Sequence, residues 1–337
     1  MKANYDKDYS IVICTYNPDE RLLTRCLKAV SELDREGLRT EVILVDNNSK
    51  IPVRSLAYVQ EHTKNIPDLQ ILEVKQQGVR YARMAAIEKA QGKFTVYIDY
   101  DNEPAASYLQ ELKSLNDRFP QVGAWGPGQV YVDFIDGIDK KIEGYARMAF
   151  QERHDEAAEF STEREWQHCY PFGTGLCTYT FLLKEYIELA EQGRFTQPGR
   201  TGAALTSGED TQMVLLCISK GYAAGVSPTL QMHHIIPRSR ASRKYLQRLA
   251  WGTGLCYESC MLEVFPERKP QLLRRLMAEA KFSRQALKRT IKATWHRNPM
   301  KKFELVRFLS INAGIYTALN KPLPATVVNI VKFLNLQ

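Results

Sequence analysis

Between residues 9 and 102, four short apolar, β-branched runs alternate with segments whose apolar residues fall at helical spacing. The runs cover residues 10–14, 41–46, 69–74 and 94–99. They read as strands buried on both faces. Between the first two, Leu22, Leu23, Cys26, Leu27 and Val30 make one stripe of a helix, and residues 78–90 make a later one. Asn17 is read as the cap of the first helix with Pro18 in its first turn, and Gly92 as the terminator of the later one. This order implies a mostly parallel sheet with helices on its faces, because parallel neighbours need a long crossover between them. In such sheets ligands bind beyond the carboxyl ends of the strands. The residues there are Thr15-Tyr16-Asn17, Asp46-Asn47-Asn48-Ser49 and Asp99-Tyr100-Asp101, and the topology sends all three to one edge.

Further on, a helix is expected over residues 104–118 and a glycine-interrupted strand over 122–130. Residues 136–168 read as a charged, irregular loop. Residues 229–232 read as a strand that precedes His233-His234, and the chain reads as helical and basic from 238 onward. The net charge of +8 is uneven. Residues 238–307 hold 18 Lys and Arg against 5 Asp and Glu, a net +13, and Lys321 and Lys332 follow, leaving −7 for residues 1–237. An acidic α/β domain over 1–237 and a basic, mainly helical region over 238–337 are therefore expected to do different jobs. The seven cysteines lack zinc-ribbon spacing and read as buried thiols in a reducing compartment. The first residues lack the apolar core of a signal peptide, and no run of about 18 apolar residues could span a bilayer. The expected location is cytoplasmic, with the inner face of the membrane as a peripheral site.

Two acidic clusters carry the chemistry. If the segment is extended, Asp99 and Asp101 share one side, since side chains alternate along a strand. Both could then approach a Mg²⁺ or Mn²⁺ ion bound to a diphosphate, and such an ion neutralises charge on a leaving phosphate. The plainer alternative is a solvated acidic turn. Glu209-Asp210 stands at the start of a helix, where the dipole favours a carboxylate able to take a proton; N-terminal capping is the plainer alternative. Asp46 could accept from a nucleotide base or ribose, or close an Asx turn. Of His233 and His234 only one can face a metal, because neighbours on a strand point opposite ways. Arg238, Arg240 and Arg243 could hold diphosphate or make a solvated face. Leu287, Ile291 and Trp295 recur every four residues, with Arg284, Lys288 and Lys292 on another face. That pattern suits an anionic membrane interface, or packing on the catalytic domain with the cations solvated.

Taken in order, these motifs resemble family 2 glycosyltransferases, inverting enzymes of GT-A fold with a Rossmann-like sheet. The carrying residues are Cys14-Thr15-Tyr16-Asn17, Val45 to Ser49, Gly78 to Arg83, Ala90-Gln91-Gly92 with Asp99-Tyr100-Asp101, Gly173-Thr174-Gly175, Gly208-Glu209-Asp210 and His234 to Pro237. The resemblance spans about residues 9–245. It implies a nucleotide-sugar donor, UDP-linked by family frequency, contacted by Thr15, Tyr16, Asn17, Asp46, Arg83, Tyr100, Gly173, Thr174, Gly175 and Arg240. It implies a metal at Asp99 and Asp101 with His234, and Asp210 as catalytic base beside Glu209. Two departures stand out: Met84 follows Arg83 where the family often has Asn, and Tyr100 replaces a frequent middle Asp.

The mechanism so implied is one displacement at the anomeric carbon, with Asp210 deprotonating the hydroxyl of a glycan or lipid-linked acceptor. A hexosyltransferase serving polysaccharide biosynthesis is the expected kind. One rival is a sugar-phosphate nucleotidyltransferase, disfavoured because residues 15–19 lack a glycine-rich basic loop. Another is a non-catalytic protein that binds a nucleotide sugar, or nucleic acid through the basic tail. No nucleic-acid motif surrounds that charge, and no nucleic-acid partner is expected.

Overall fold

The computed structural model describes residues 5–197, 199–200, 205–296 and 298–336. Along the chain the strands are β1 (Lys7–Thr15), β2 (Thr40–Asp46), β3 (Leu69–Glu73), β4 (Gly92–Tyr97), β5 (Asn102–Pro104), β6 (Val122–Phe134), β7 (Arg153–His154), β8 (Glu159–Ser161), β9 (Cys177–Tyr179) and β10 (Ala223–Ile236). The helices are α1 (Glu20–Ser31), α2 (Ala57–Thr63), α3 (Val79–Lys89), α4 (Tyr108–Arg118), α5 (Glu143–Ala149) and α6 (Thr180–Glu191). They continue with α7 (Glu209–Ser219), α8 (Arg243–Val264), α9 (Lys269–Arg275), α10 (Glu279–Trp295), α11 (Met300–Ala318) and α12 (Ala325–Phe333).

Contacts divide the chain into two units. One comprises Met1–Asp133, Gln151–Gly193 and Met213–Ile236; the other comprises Phe134–Phe150, Arg194–Gln212 and Pro237–Gln337. Each has its own apolar core. In the first unit Ile11, Ile13, Leu23, Leu27, Leu44, Val96 and Leu112 pack between sheet and helices. In the second, Trp251, Phe282, Leu305, Leu309, Ala313 and Val327 pack where α8, α10, α11 and α12 meet.

The sheet runs β3-β2-β1-β4-β9-β6-β10-β5, with β7 on β6 and β8 on β10. The α/β alternation expected of a Rossmann-like, GT-A-type layout is present. The strands β3, β2, β1 and β4 are parallel, and β9 then opens an antiparallel half. The parallel strands are those whose apolar runs the sequence displays, because crossover helices bury both their faces. Register places Thr15 opposite Asp46, so the ends of β1 and β2 lie level.

Several local expectations need correction. Asn17 does not cap α1: its φ of 44° is left-handed, whereas an N-cap residue is extended. Asp19 caps instead, accepting from the Arg21 backbone N–H at 3.0 Å. Gly92 does not end α3, which stops at Lys89. It opens β4, where a Cβ would lie 2.4 Å from the Ser10 backbone nitrogen. Glycine is needed there for a close approach of two strands. The glycines of residues 122–130 likewise do not interrupt a strand, since β6 is continuous for 13 residues. At Gly128 a Cβ would stand 2.6 Å from the backbone of Ser227. The segment 136–168 is more regular than expected and contains α5, β7 and β8. His233 and His234 lie inside β10, not after it.

Candidate active site

Three loops leave the carboxyl ends of β1, β2 and β3, and short side chains tie them together. Asn17 donates its backbone N–H to the Ser49 hydroxyl at 2.8 Å, and its side-chain oxygen accepts from the Lys50 N–H at 2.8 Å. The first loop is thereby stitched to the second. Asn47, 4% exposed, does the same for the third. It donates to the Gln76 carbonyl at 2.7 Å and accepts from the Gly78 N–H at 2.7 Å. Sequence reasoning grouped Asn47 with the edge residues but assigned it no role. An Asn after a strand carries no sign of which backbone it will bind.

Asp46 is buried. Its two oxygens accept from the Ser49 N–H at 2.9 Å and the Val53 N–H at 2.8 Å, shaping its own loop. This is the Asx-type alternative, and it leaves further lone pairs on each oxygen. Next to it, the Thr15 hydroxyl is buried with no hydrogen-bond partner among the described residues. A buried hydroxyl without a partner costs free energy unless a ligand or water supplies one. Tyr16 is exposed at the same edge.

The Asp99–Asp101 segment is a turn and not an extended strand. β4 ends at Tyr97, and the Asn102 N–H donates to the Asp99 carbonyl at 2.9 Å. The side-chain alternation used to place both acids on one side therefore does not apply. Asn102 organises the turn instead. Its side-chain oxygen accepts from the Asp99 N–H at 3.1 Å, and its amide donates to Asp101 at 3.2 Å. The acids consequently have different neighbours. Asp99 pairs with Arg83 at 3.3 Å, and the Arg83 guanidinium lies 4.9 Å from the Tyr97 ring centroid. Asp101 lies 3.6 Å from His234 Nε2, the two side chains being 4% and 6% exposed. Tyr100 packs part of its ring on the core.

His234 reaches Asp101 because β10 pairs antiparallel with β5, placing His234 opposite Asn102. The Ile235 N–H donates to the Asp101 carbonyl at 2.8 Å. His233 points the other way and stacks on Tyr131, centroid to centroid 5.0 Å. The split between the two histidines is the one that strand geometry predicts. Beneath the turn, the Cys26 thiol donates to the Asp99 carbonyl at 3.6 Å. Burial, and then the charges of Asp101, Asp99 and Glu103, push its pKa well up, so it remains a neutral thiol. Arg25 clamps Glu103 through two 2.7 Å bonds.

A Mg²⁺ or Mn²⁺ ion takes one or two carboxylates and completes its shell with substrate phosphate and water. The 3.6 Å between Asp101 and His234 is long for a hydrogen bond. It is close to the separation of two ligands each ~2.1 Å from a common ion, which is about 3–4 Å. Asp101 and His234 thus fit such an ion, and Asp99 could join by exchanging its Arg83 contact. Among the described residues no three His, Cys, Asp or Glu side chains cluster as a self-sufficient cage.

Gly173, Thr174 and Gly175 precede β9 in the same unit. Gly175 has φ +69°, and its carbonyl accepts from the Tyr108 hydroxyl at 2.7 Å. A Cβ there would lie 2.5 Å from that hydroxyl. Replacing Gly175 by Ala would strain the backbone and break a buried hydrogen bond. The expected loss is about 2–4 kcal/mol of stability, read from the midpoint of chemical denaturation.

Glu209, Asp210 and Arg240 belong to the second unit. Both acids sit in the first turn of α7. Glu209 is buried and accepts from the Gly208 N–H at 3.2 Å; half-buried Asp210 accepts from the Thr211 N–H at 2.8 Å. Gly208 is held against α8, where a Cβ would lie 2.5 Å from Cys260 Sγ. Burial, and to a lesser degree the charge of Glu209, lift the Cys256 thiol to about 11. The Arg240 guanidinium lies 5.3 Å from the Phe150 ring and 5.8 Å from the Tyr245 ring. It is therefore oriented by aromatic faces of its own unit.

Residues 10–177 match the family model described as glycosyl transferase family 2. The chain carries a family 2 glycosyltransferase domain. That match covers β1 to the start of β9, including all three stitched loops and the Asp99–Asn102 turn of the glycosyltransferase domain. Among solved structures, S. aureus TarS 1–349 aligns at 15% identity over 97% of this chain and 90% of that one, with a TM-score of 0.45. TarS 1–349 in complex with UDP-GlcNAc aligns at 14% identity over 93% and 92%, with a TM-score of 0.47. GalNAc-T7 with UDP, GalNAc and Mn²⁺ aligns at 15% identity over 78% and 52%, with a TM-score of 0.49. No curated protein sequence matches the chain.

Proposed function

We propose that this glycosyltransferase moves a sugar from a nucleotide-sugar donor, UDP-linked, to a hydroxyl of a glycan or lipid-linked saccharide with inversion at the anomeric carbon. One observation supports this above others. Thr15, Asp46, Arg83 and the Asp99–Asn102 turn are gathered by the family 2 domain at the carboxyl ends of β1, β2 and β4. That edge supplies an unpartnered buried hydroxyl, a cation and a paired Asp101–His234 donor set.

In this reading Thr15, Tyr16 and the Asp46 loop hold the nucleoside. Arg83 turns from Asp99 toward the diphosphate and offsets part of its charge. Asp99, Asp101 and His234 would hold Mg²⁺ or Mn²⁺, which when bound lowers the cost of releasing a diphosphate. Asp210 takes the proton of the acceptor hydroxyl. The acceptor oxygen bonds to the anomeric carbon as the bond to the diphosphate oxygen breaks, through an oxocarbenium-like state. The diphosphate leaves with the bonding pair.

A thermal-shift screen of UDP, UDP-sugars, GDP-sugars and dTDP-sugars with Mn²⁺, Mg²⁺ or EDTA tests the reading. Ligand at a hundred times its Kd stabilises a protein by ~2.7 kcal/mol. A clear rise in the melting temperature is therefore expected with a UDP-sugar and metal together. Pyrophosphate release from a nucleoside triphosphate and a sugar phosphate, without sugar transfer, would overturn it.

A further inference from the structure

The apolar stripe of α10 faces outward. Leu287 is 51% exposed, Ile291 53% and Trp295 86%. The helix docks instead through Phe282, Ala286, Thr290 and Ala293, which pack in the core with α11 and α12. The three are surface residues and not part of the second unit's core. Residues four apart lie on one face, so the three outward side chains form a continuous ridge. Beside it runs a shallow groove lined by Arg284, Gln285, Lys288, Arg289 and Lys292. The helix carries five cations against one acid, Glu279. Arg284 and Lys288 make no ion pair among the described residues. The nearest acid on α11, Glu304, is taken by Lys301 at 2.8 Å.

We propose that α10 is a docking surface for a bilayer that bears anionic phospholipid. Apolar ridge and cationic groove match the two zones such a bilayer offers. Leu287, Ile291 and Trp295 enter the boundary between acyl chains and headgroups, with Trp295 at the interfacial level. Arg284, Lys288 and Lys292 meet the headgroup phosphates in the adjoining groove. No helix of the described residues is long and apolar enough to cross a membrane, so α10 would lie on the surface. The inference concerns only the second unit and is independent of which sugar is moved.

Flotation of the full chain with phosphatidylcholine vesicles, with and without phosphatidylserine, tests it. Binding is expected only with phosphatidylserine and should weaken as salt rises from about 0.1 M to 1 M. Ile291→Ser with Trp295→Ser should lower the partition coefficient at least about tenfold. Arg284→Gln with Lys288→Gln and Lys292→Gln should lower it by about two orders of magnitude. All five positions are exposed, and unchanged melting temperatures will show that the variants fold. Absence of binding to anionic vesicles would overturn the proposal, as would binding that both sets of variants leave intact. Salt-sensitive binding indifferent to Ile291 and Trp295 would also overturn it, leaving plain electrostatic adhesion. A concentration-dependent dimer broken by the same two Ser substitutions would assign the ridge to a second copy of the chain.

Discussion

Asp101→Asn is expected to remove metal-dependent donor binding and to lower kcat/KM by about three orders of magnitude. The size follows from the several kcal/mol that a divalent ion contributes to releasing a charged leaving group, at 1.36 kcal/mol per tenfold. Asn is chosen over Ala for a structural reason. Asp101 accepts from the Asn102 amide at 3.2 Å, and both residues are buried. An empty position there would leave the amide unsatisfied and cost about 1–3 kcal/mol of stability. That cost would confuse a loss of folding with a loss of function. Asn keeps the volume and one acceptor oxygen but gives up the charge that an ion needs. Calorimetric titration with UDP, with and without Mn²⁺, provides the readout. In the native protein the two titrations should differ, and in Asp101→Asn they should coincide at the weaker affinity. If Asp101→Asn retained the Mn²⁺-dependent gain, Asp101 would be a structural acid held by His234 and not a metal ligand.

The parts of this molecule that the sequence discloses share one physical property. Strands β1, β2 and β4 are covered on both faces, so their apolar residues run together and their ends are marked by the first polar residue. Thr15, Asp46 and Asp99 were legible for that reason. Strands β6 and β10 were only partly legible, because close approaches put glycines into them: Gly128 and Gly225 meet neighbouring backbone, and Gly123 and Gly126 meet the Tyr222 and Pro171 side chains. Glycine and proline ordinarily read as breaks, yet here the neighbouring chain and not the local conformation demands them. The turn at Asp99–Asn102 was hidden for another reason. Its shape depends on Asn102 folding back on the Asp99 N–H, and nothing distinguishes that Asn from one facing solvent. Asn17 misled in the same way: a residue suited to capping took a left-handed conformation and tied two loops together instead. On α10 the helical period was plain, but a period does not say which of two apolar faces meets the core. Phe282, Ala286 and Ala293 won that contact over Leu287, Ile291 and Trp295.

Asp210→Asn should lower kcat by about 10²–10⁴, the usual worth of a positioned general base, while changing the donor Kd by less than about twofold. The structure makes this a clean substitution. Asp210 uses one carboxylate oxygen to accept from the Thr211 N–H at 2.8 Å in the first turn of α7. An Asn side-chain oxygen can accept the same bond, so the helix start is preserved. What disappears is the ability to take a proton. Glu209→Gln is the companion experiment, because Glu209 is buried and engaged with the Gly208 N–H. A base must reach the reacting hydroxyl, so half-buried Asp210 is the better candidate of the pair. Glu209→Gln is accordingly expected to act on stability more than on rate. The two roles separate in paired measurements of transfer rate at saturating donor and acceptor, and of UDP-sugar affinity. Undiminished transfer by folded Asp210→Asn would remove Asp210 from catalysis. A loss of donor affinity as large as the loss of rate would move it from deprotonating the acceptor to holding the donor. The base assignment requires that the defect lie in kcat alone, because a proton removed during the displacement stabilises the transition state and not the bound donor.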